Sequence, residues 1–189
     1  MKKIPLTILR DTREQRPLDF SPFPDVVEET ATLWPGDYSI KGFERSFAVE
    51  RKSVSDLIGT LKGGYVGKDS IRRYESRFDL ELEEFERHYD RVFLVVEPDE
   101  SDVVRRCGGQ PPCDAWTQIA NHWYQSAIEP LKVFRFVDSL QATYGLHPFY
   151  AANRQDAAAK IVDAARFYVA ARRHVIHRGK VAKADEPPF

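Results

Sequence analysis

The chain has 189 residues, 42% hydrophobic and 30% charged, enough for one domain of ordinary size with a real core. Its 28 basic and 29 acidic side chains leave a net charge of −1, which excludes a nucleic-acid protein working by overall basicity but not a local basic face. The apolar stretch of MKKIPLTILRD ends at Arg10 and Asp11, too short for a signal peptide or membrane span, so an intracellular protein is expected.

LTILRD, residues 6 to 11, reads as a first strand ending in an acid, and TREQRPLDFSPFP as a proline-rich loop. VVEETATL, 26 to 33, is predicted as a second strand. Pro35-Gly36 then makes a tight turn that sets Asp37 at a turn-to-strand junction. YSI and FAVERK flank the short turn around Gly42 as a hairpin.

Successive side chains of a strand point to opposite faces, so Glu50 and Lys52 share a face with Ala48, whereas Arg51 shares the other with Phe47 and Val49. Charges where the strand should still be buried suit either a surface pair or an active site. Ser53 and Asp56 form a capping-box pattern ahead of a short helix with Leu57, Ile58 and Leu61 on its apolar side.

KGGYVGK is a glycine-rich break. Ile71, Tyr74, Phe78, Leu82, Phe85 and Tyr89 recur at helical spacing, predicting an amphipathic helix from Asp69 to Tyr89. RVFLVVE, 91 to 97, is expected as a buried strand. Cys107 and Cys113, in CGGQPPC, match no common zinc or redox spacing. A helix over 114 to 128 is predicted, with Trp116, Trp123 and Tyr124 as core aromatics, then a strand at LKVFRFV and a last helix over 154 to 174. Alternating strands and helices indicate α/β. The organisation expected is a main domain over 1–150, a C-terminal helix over 151–178 and a disordered tail over 179–189.

Asp11, Glu14, Asp37 and Glu50 all stand near strand ends, with Lys52 beside the last. A hard cation such as Mg²⁺ takes carboxylate oxygens, a carbonyl and waters. The two strands of one hairpin can bring Asp37 and Glu50 together, with the Arg51 carbonyl as a third ligand. Such a metal polarises a phosphoryl oxygen and acidifies bound water, and a lysine can orient that water. Taken singly, ERK is a common surface triplet and GDY a common turn; their order in one chain narrows the reading.

DTREQRP, GDYSI and VERKSVSDLIGTL together resemble the nuclease domain of the XPF-type structure-specific endonucleases, which include XPF and Hef. The signature GD…ERKxxxD falls on Gly36-Asp37 and on Glu50-Arg51-Lys52 with Asp56, and the upstream motif on Asp11, Arg13 and Glu14; the likeness spans roughly residues 6 to 140. The resemblance implies a restriction-endonuclease-like mixed central sheet flanked by helices, and Mg²⁺- or Mn²⁺-dependent hydrolysis of phosphodiesters in branched, flap or fork DNA. Asp37, Glu50, the Arg51 carbonyl and Asp11 would hold metal, Lys52 would activate water, and Glu14, Arg13, Arg51 and Asp56 would support them. It also implies a homodimer through the nuclease domain. The tandem helix-hairpin-helix modules common in such enzymes are not evident in these residues. Lys62, Lys68, Arg72 and Arg73, with Arg172 and Arg173 in the acid-free run before Ala184, are candidate DNA contacts. A non-catalytic DNA-structure-binding or scaffold module of the same fold is the alternative.

Overall fold

The computed structural model describes the backbone of residues 5–63 and 77–184, with side chains as far as Arg172. Lys68, Arg72 and Arg73 lie outside the described residues, as do the first two turns of the helix expected from Asp69. Among the described residues, six strands form one mixed sheet in the order β2-β1-β3-β4-β5-β6: β1 (Leu6–Asp11), β2 (Val26–Ala31), β3 (Tyr38–Ile40), β4 (Phe47–Ser53), β5 (Arg91–Glu97) and β6 (Leu146–Tyr150). β1 runs parallel to β2 and antiparallel to β3, β3 is antiparallel to β4, and β4, β5 and β6 are parallel to one another.

Helices cover both faces. α6 (Arg154–Ala184) lies on one, where its Ala157, Ala158, Ile161 and Ala165 pack against Ile8, Phe47, Val49 and Val95. α1 (Val54–Gly63), α2 (Arg77–His88), α4 (Ala115–Ala120) and α5 (Pro130–Tyr144) lie on the other, against Ala48, Val92, Leu94 and Val96. A short α3 (Ser101–Arg106) follows β5. Small residues on α6 let the helix approach the sheet closely, and the alternation of β4 splits its apolar residues between the two layers. This is α/β architecture, as the sequence indicates.

Three differences from the sequence reading have physical causes. LKVFRFV is not a strand; it lies within α5, which starts at Pro130, buries Val133, Val137 and Leu140, and ends where Gly145 takes φ 68°. Those buried positions are four and three residues apart, a helical face that a short apolar run conceals. The strand at this place is LHPFY, on the sheet edge, where Pro148 is tolerated because an edge strand has one side without ladder partners. The helix expected over 114 to 128 stops at Ala120, since His122 and Gln125 adopt positive φ of 58° and 40°. Trp116 is exposed rather than core, on the side of α4 away from buried Ala115 and Ile119, and tilted against Phe134. α6 continues to Ala184, so residues 179–184 are helical where a disordered tail was expected.

Candidate functional site

β3 and β4 carry the centre of the site. Tyr38 pairs with Val49 in antiparallel register, which sets Asp37 opposite Glu50 on the face covered by α1 and α2. The Asp37 N–H donates to the Val49 carbonyl at 2.8 Å, fixing the junction, and the Arg51 N–H donates to Asp37 Oδ2 at 2.8 Å. The N–H and carbonyl of a strand residue point to the same edge, so the Arg51 carbonyl looks past the end of β3 into the same space.

Gly36 makes this approach feasible. Its φ is +97°, and a Cβ there would sit 3.2 Å from the Val49 carbonyl oxygen and 3.4 Å from the Ala48 Cβ.

Glu50 is 6% exposed. Lys52 Nζ stands 3.1 Å from Glu50 Oε1 and 4.2 Å from the centre of the Phe78 ring on α2. Burial first, then the nearby Asp37 charge, pushes the Glu50 carboxyl well above the usual carboxylate range, with Lys52 opposing the shift. Burial also raises Asp37, the Arg51 N–H opposing and the Glu14 charge adding to the rise. Two carboxyls that resist ionisation in each other's presence favour an added positive charge.

Asp11 is 2% exposed and differs in kind. Its Oδ1 accepts from the Arg13 N–H at 2.8 Å and Nε at 2.6 Å, and its Oδ2 from the Leu33 N–H at 2.7 Å. Burial opposes its ionisation, yet the bonds from Arg13 and Leu33 outweigh burial and hold the carboxyl below its ordinary range. Arg13 in turn donates to the Leu33 carbonyl at 2.6 Å. These contacts clamp the loop that leads into Asp37.

Arg51 points to the opposite face, as strand alternation requires. Its guanidinium lies 3.1 Å from Glu14 and 3.7 Å from Glu97, all three side chains only 9% exposed, and donates to the Arg16 carbonyl at 2.8 Å. Arg154, at the start of α6, reaches the same Glu97 at 3.3 Å and donates to the Arg16 and Pro17 carbonyls at 2.8 and 2.7 Å.

Together Asp11, Arg13, Glu14, Asp37, Glu50, Arg51, Lys52 and Asp56 line one open cleft of about 470 Å³. Asp56 is exposed in the first turn of α1, where its N–H is capped by Ser53 Oγ at 3.1 Å. Among the described residues no three or more His, Cys, Asp or Glu are grouped as a metal cage; the acids facing the Arg51 carbonyl are a pair. Glu81 of α2 also lines the cleft, 5% exposed. Sequence reasoning missed it because α2 carries a run of acids; the four-residue offset of Glu81 from Phe85 on the buried side was the available signal.

Lys62 is exposed in the last turn of α1. Arg172 lies elsewhere: it pairs with Asp90 and stacks over Tyr168 at 5.3 Å, beside a separate cavity between β5, β6 and α6. Of Arg173, only its place on α6 is described.

A family model described as the ERCC4 domain matches residues 10–163, most of the chain and all of the site. The chain belongs to the ERCC4 domain family. These are XPF-type nuclease domains, the family that the Asp11, Gly36-Asp37 and Glu50-Arg51-Lys52 motifs resemble. XPF from Aeropyrum pernix has the same fold as this ERCC4 domain, at 23% identity and a TM-score of 0.55, over 92% of this chain and 69% of that one. The same protein in complex with DNA gives 21% identity and a TM-score of 0.54, over 88% and 66%. No curated protein matches. Among the described residues no helix is long and apolar enough to cross a membrane.

Proposed function

We propose that this ERCC4 domain is a Mg²⁺- or Mn²⁺-dependent endonuclease that hydrolyses phosphodiesters in branched, flap or fork DNA, leaving a 5′-phosphate and a 3′-hydroxyl. The observation that carries the reading is the convergence of Asp37 and Glu50 beside Lys52 at the end of β4. The donor set fits a hard divalent cation: two carboxylates with raised pKa values and a strand-end carbonyl, leaving room for waters. The likeness to a protein solved in complex with DNA supports DNA as the ligand.

Asp37, Glu50 and the Arg51 carbonyl would hold the metal. When bound, the cation supplies a polarised phosphoryl oxygen and a water acidic enough to ionise near neutrality. Lys52, steadied by Glu50 and the Phe78 ring, orients the attacking water and stabilises charge on the phosphoryl oxygens. Asp11 and Arg13 act as positioning residues by holding the loop to Asp37, whereas Glu14 and Arg51 hold the loop that follows β1. Asp11 lines the same cleft, and the share in holding the metal that the resemblance implies for it belongs to this proposal. Lys62 and the basic stretch at the end of α6 would meet phosphates, and self-association through the nuclease domain belongs to the same reading.

The test is cleavage of labelled duplex, flap, fork and four-way junction DNA with and without Mg²⁺ or Mn²⁺. Cutting should require metal and favour branched forms, and Asp37→Asn, Glu50→Gln and Lys52→Ala should each slow it at least about 100-fold with folding retained. Wild-type rates in Glu50→Gln, or no cleavage of any substrate with either metal, would overturn the proposal.

A further inference from the structure

Trp34 stands beside the same cleft and takes no part in the chemistry above. It is 48% exposed, a large aromatic surface of the kind that is normally turned inward. Its loop is nonetheless pinned on every side. The Leu33 N–H and carbonyl are held by Asp11 and Arg13 at 2.7 and 2.6 Å, and the Trp34 carbonyl accepts from the Tyr89 hydroxyl at 3.3 Å. Pro35 and Gly36 behind it are buried, and Asp37 is bonded to Val49. The Arg13 guanidinium carbon lies 5.5 Å from the centre of the indole, within cation–π range, while that side chain remains 44% exposed. An exposed indole on a pinned backbone thus stands three residues before a site acid, with a cation against it.

We propose that Trp34, backed by Arg13, is a stacking platform for an unpaired base of the DNA strand that enters the Asp37–Glu50 cleft. The inference deepens the nuclease reading and rests on it for the identity of the ligand. Any base has a π-face, so an indole accepts an unpaired base of any sequence, and a platform on a backbone already held loses less entropy on binding than one on a free loop. Arg13 can reach the phosphate next to the stacked base. A base inside a duplex is already stacked and gains little from the platform, so the contact distinguishes tailed or branched DNA from blunt duplex.

The experiment compares wild type with Trp34→Phe and Trp34→Leu, both apolar replacements, by anisotropy of labelled DNA in metal-free buffer so that nothing is cut. One probe is a blunt duplex, the other the same duplex with a single-stranded tail carrying 2-aminopurine near the junction. Wild type should bind the tailed probe more tightly and quench its 2-aminopurine. Trp34→Leu should lose about five- to tenfold in affinity for the tailed probe only, with the quench abolished, whereas Trp34→Phe keeps most of both. Equal losses on both probes, or no loss on either, would overturn the proposal. Because binding is read without cleavage, a platform that fails in a protein still cutting DNA sinks this inference alone. Absence of metal-dependent cutting in wild type sinks the nuclease reading instead.

Discussion

The charge pattern of ERK resolves at the level of single side chains. Glu50 and Lys52 turn to one face of the sheet within the cleft, and Arg51, at the cleft's edge, turns to the other face and a buried pair of acids. Strand alternation alone predicts this split. Burial and pairing, which make it chemically useful, depend on what α1, α2 and α6 bring. Glu50 and Asp37 have pKa values raised above those of an unfolded chain, so the folded protein keeps protons that the unfolded one releases. The metal-free protein should therefore be most stable at low pH within its folded range. It should lose stability as pH rises from the ordinary carboxylate range through the folded-state values, about 6 for Asp37 and about 8 for Glu50. Melting temperature followed from pH 5 to 8.5 checks this. Glu50→Gln should flatten the fall, and Mn²⁺ should raise the melting temperature more at pH 8 than at pH 5, since the ligands must be deprotonated. Matching profiles for wild type and Glu50→Gln would contradict it. The motif residues were legible because their pattern is local in sequence. Trp34 and Glu81 were not, because their roles depend on which way a loop and a helix turn.

Among the elements, the hairpin of β3 and β4 and the helix after it were readable from turn and cap chemistry. Ser53 caps α1 through the Asp56 N–H, so Ser53→Ala should lower stability by about 1 kcal/mol in urea denaturation. Gly36 was readable as a turn residue, but its closeness to Val49 was not. Gly36→Ala forces both a positive φ and a tight contact with backbone. A loss of about 1–3 kcal/mol is expected, with cleavage falling further than stability does because Asp37 is displaced. Unchanged melting and activity in this variant would contradict that account. LKVFRFV reads as a strand in the sequence, and LHPFY does not, for a reason. Seven residues rich in Val and Phe satisfy both periods, and a proline argues against a strand unless the strand is known to be at an edge. Edge position is a property of the whole sheet, which local sequence does not state.

At the scale of the whole molecule, one buried ionic cluster ties distant parts of the chain together. Arg51 of β4, Glu14 and the Arg16 carbonyl of the first loop, Glu97 of β5 and Arg154 of α6 meet on the sheet face opposite Glu50, with Glu14 and Arg51 also lining the cleft. No sequence motif announces Arg154, which is more than a hundred positions from Arg51. Removing the central cation leaves two buried acids without it, so Arg51→Ala should cost about 3–5 kcal/mol in denaturant unfolding. Adding Glu97→Gln should recover part of that loss, because neighbours in one network do not add. Strictly additive losses would show that the cluster is not a unit.

The two borders of the sheet differ from its interior in a way that limits how copies of the chain can meet. On β2, Glu28 is paired with Arg10 and Glu29 with Lys41, so that border is lined with charge. On β6, Pro148 interrupts the row of amides that a docking strand would need. Among the described residues, charge on one border and proline on the other both disfavour sheet extension by a docking strand. Backbone zippering between copies is thereby discouraged at both ends.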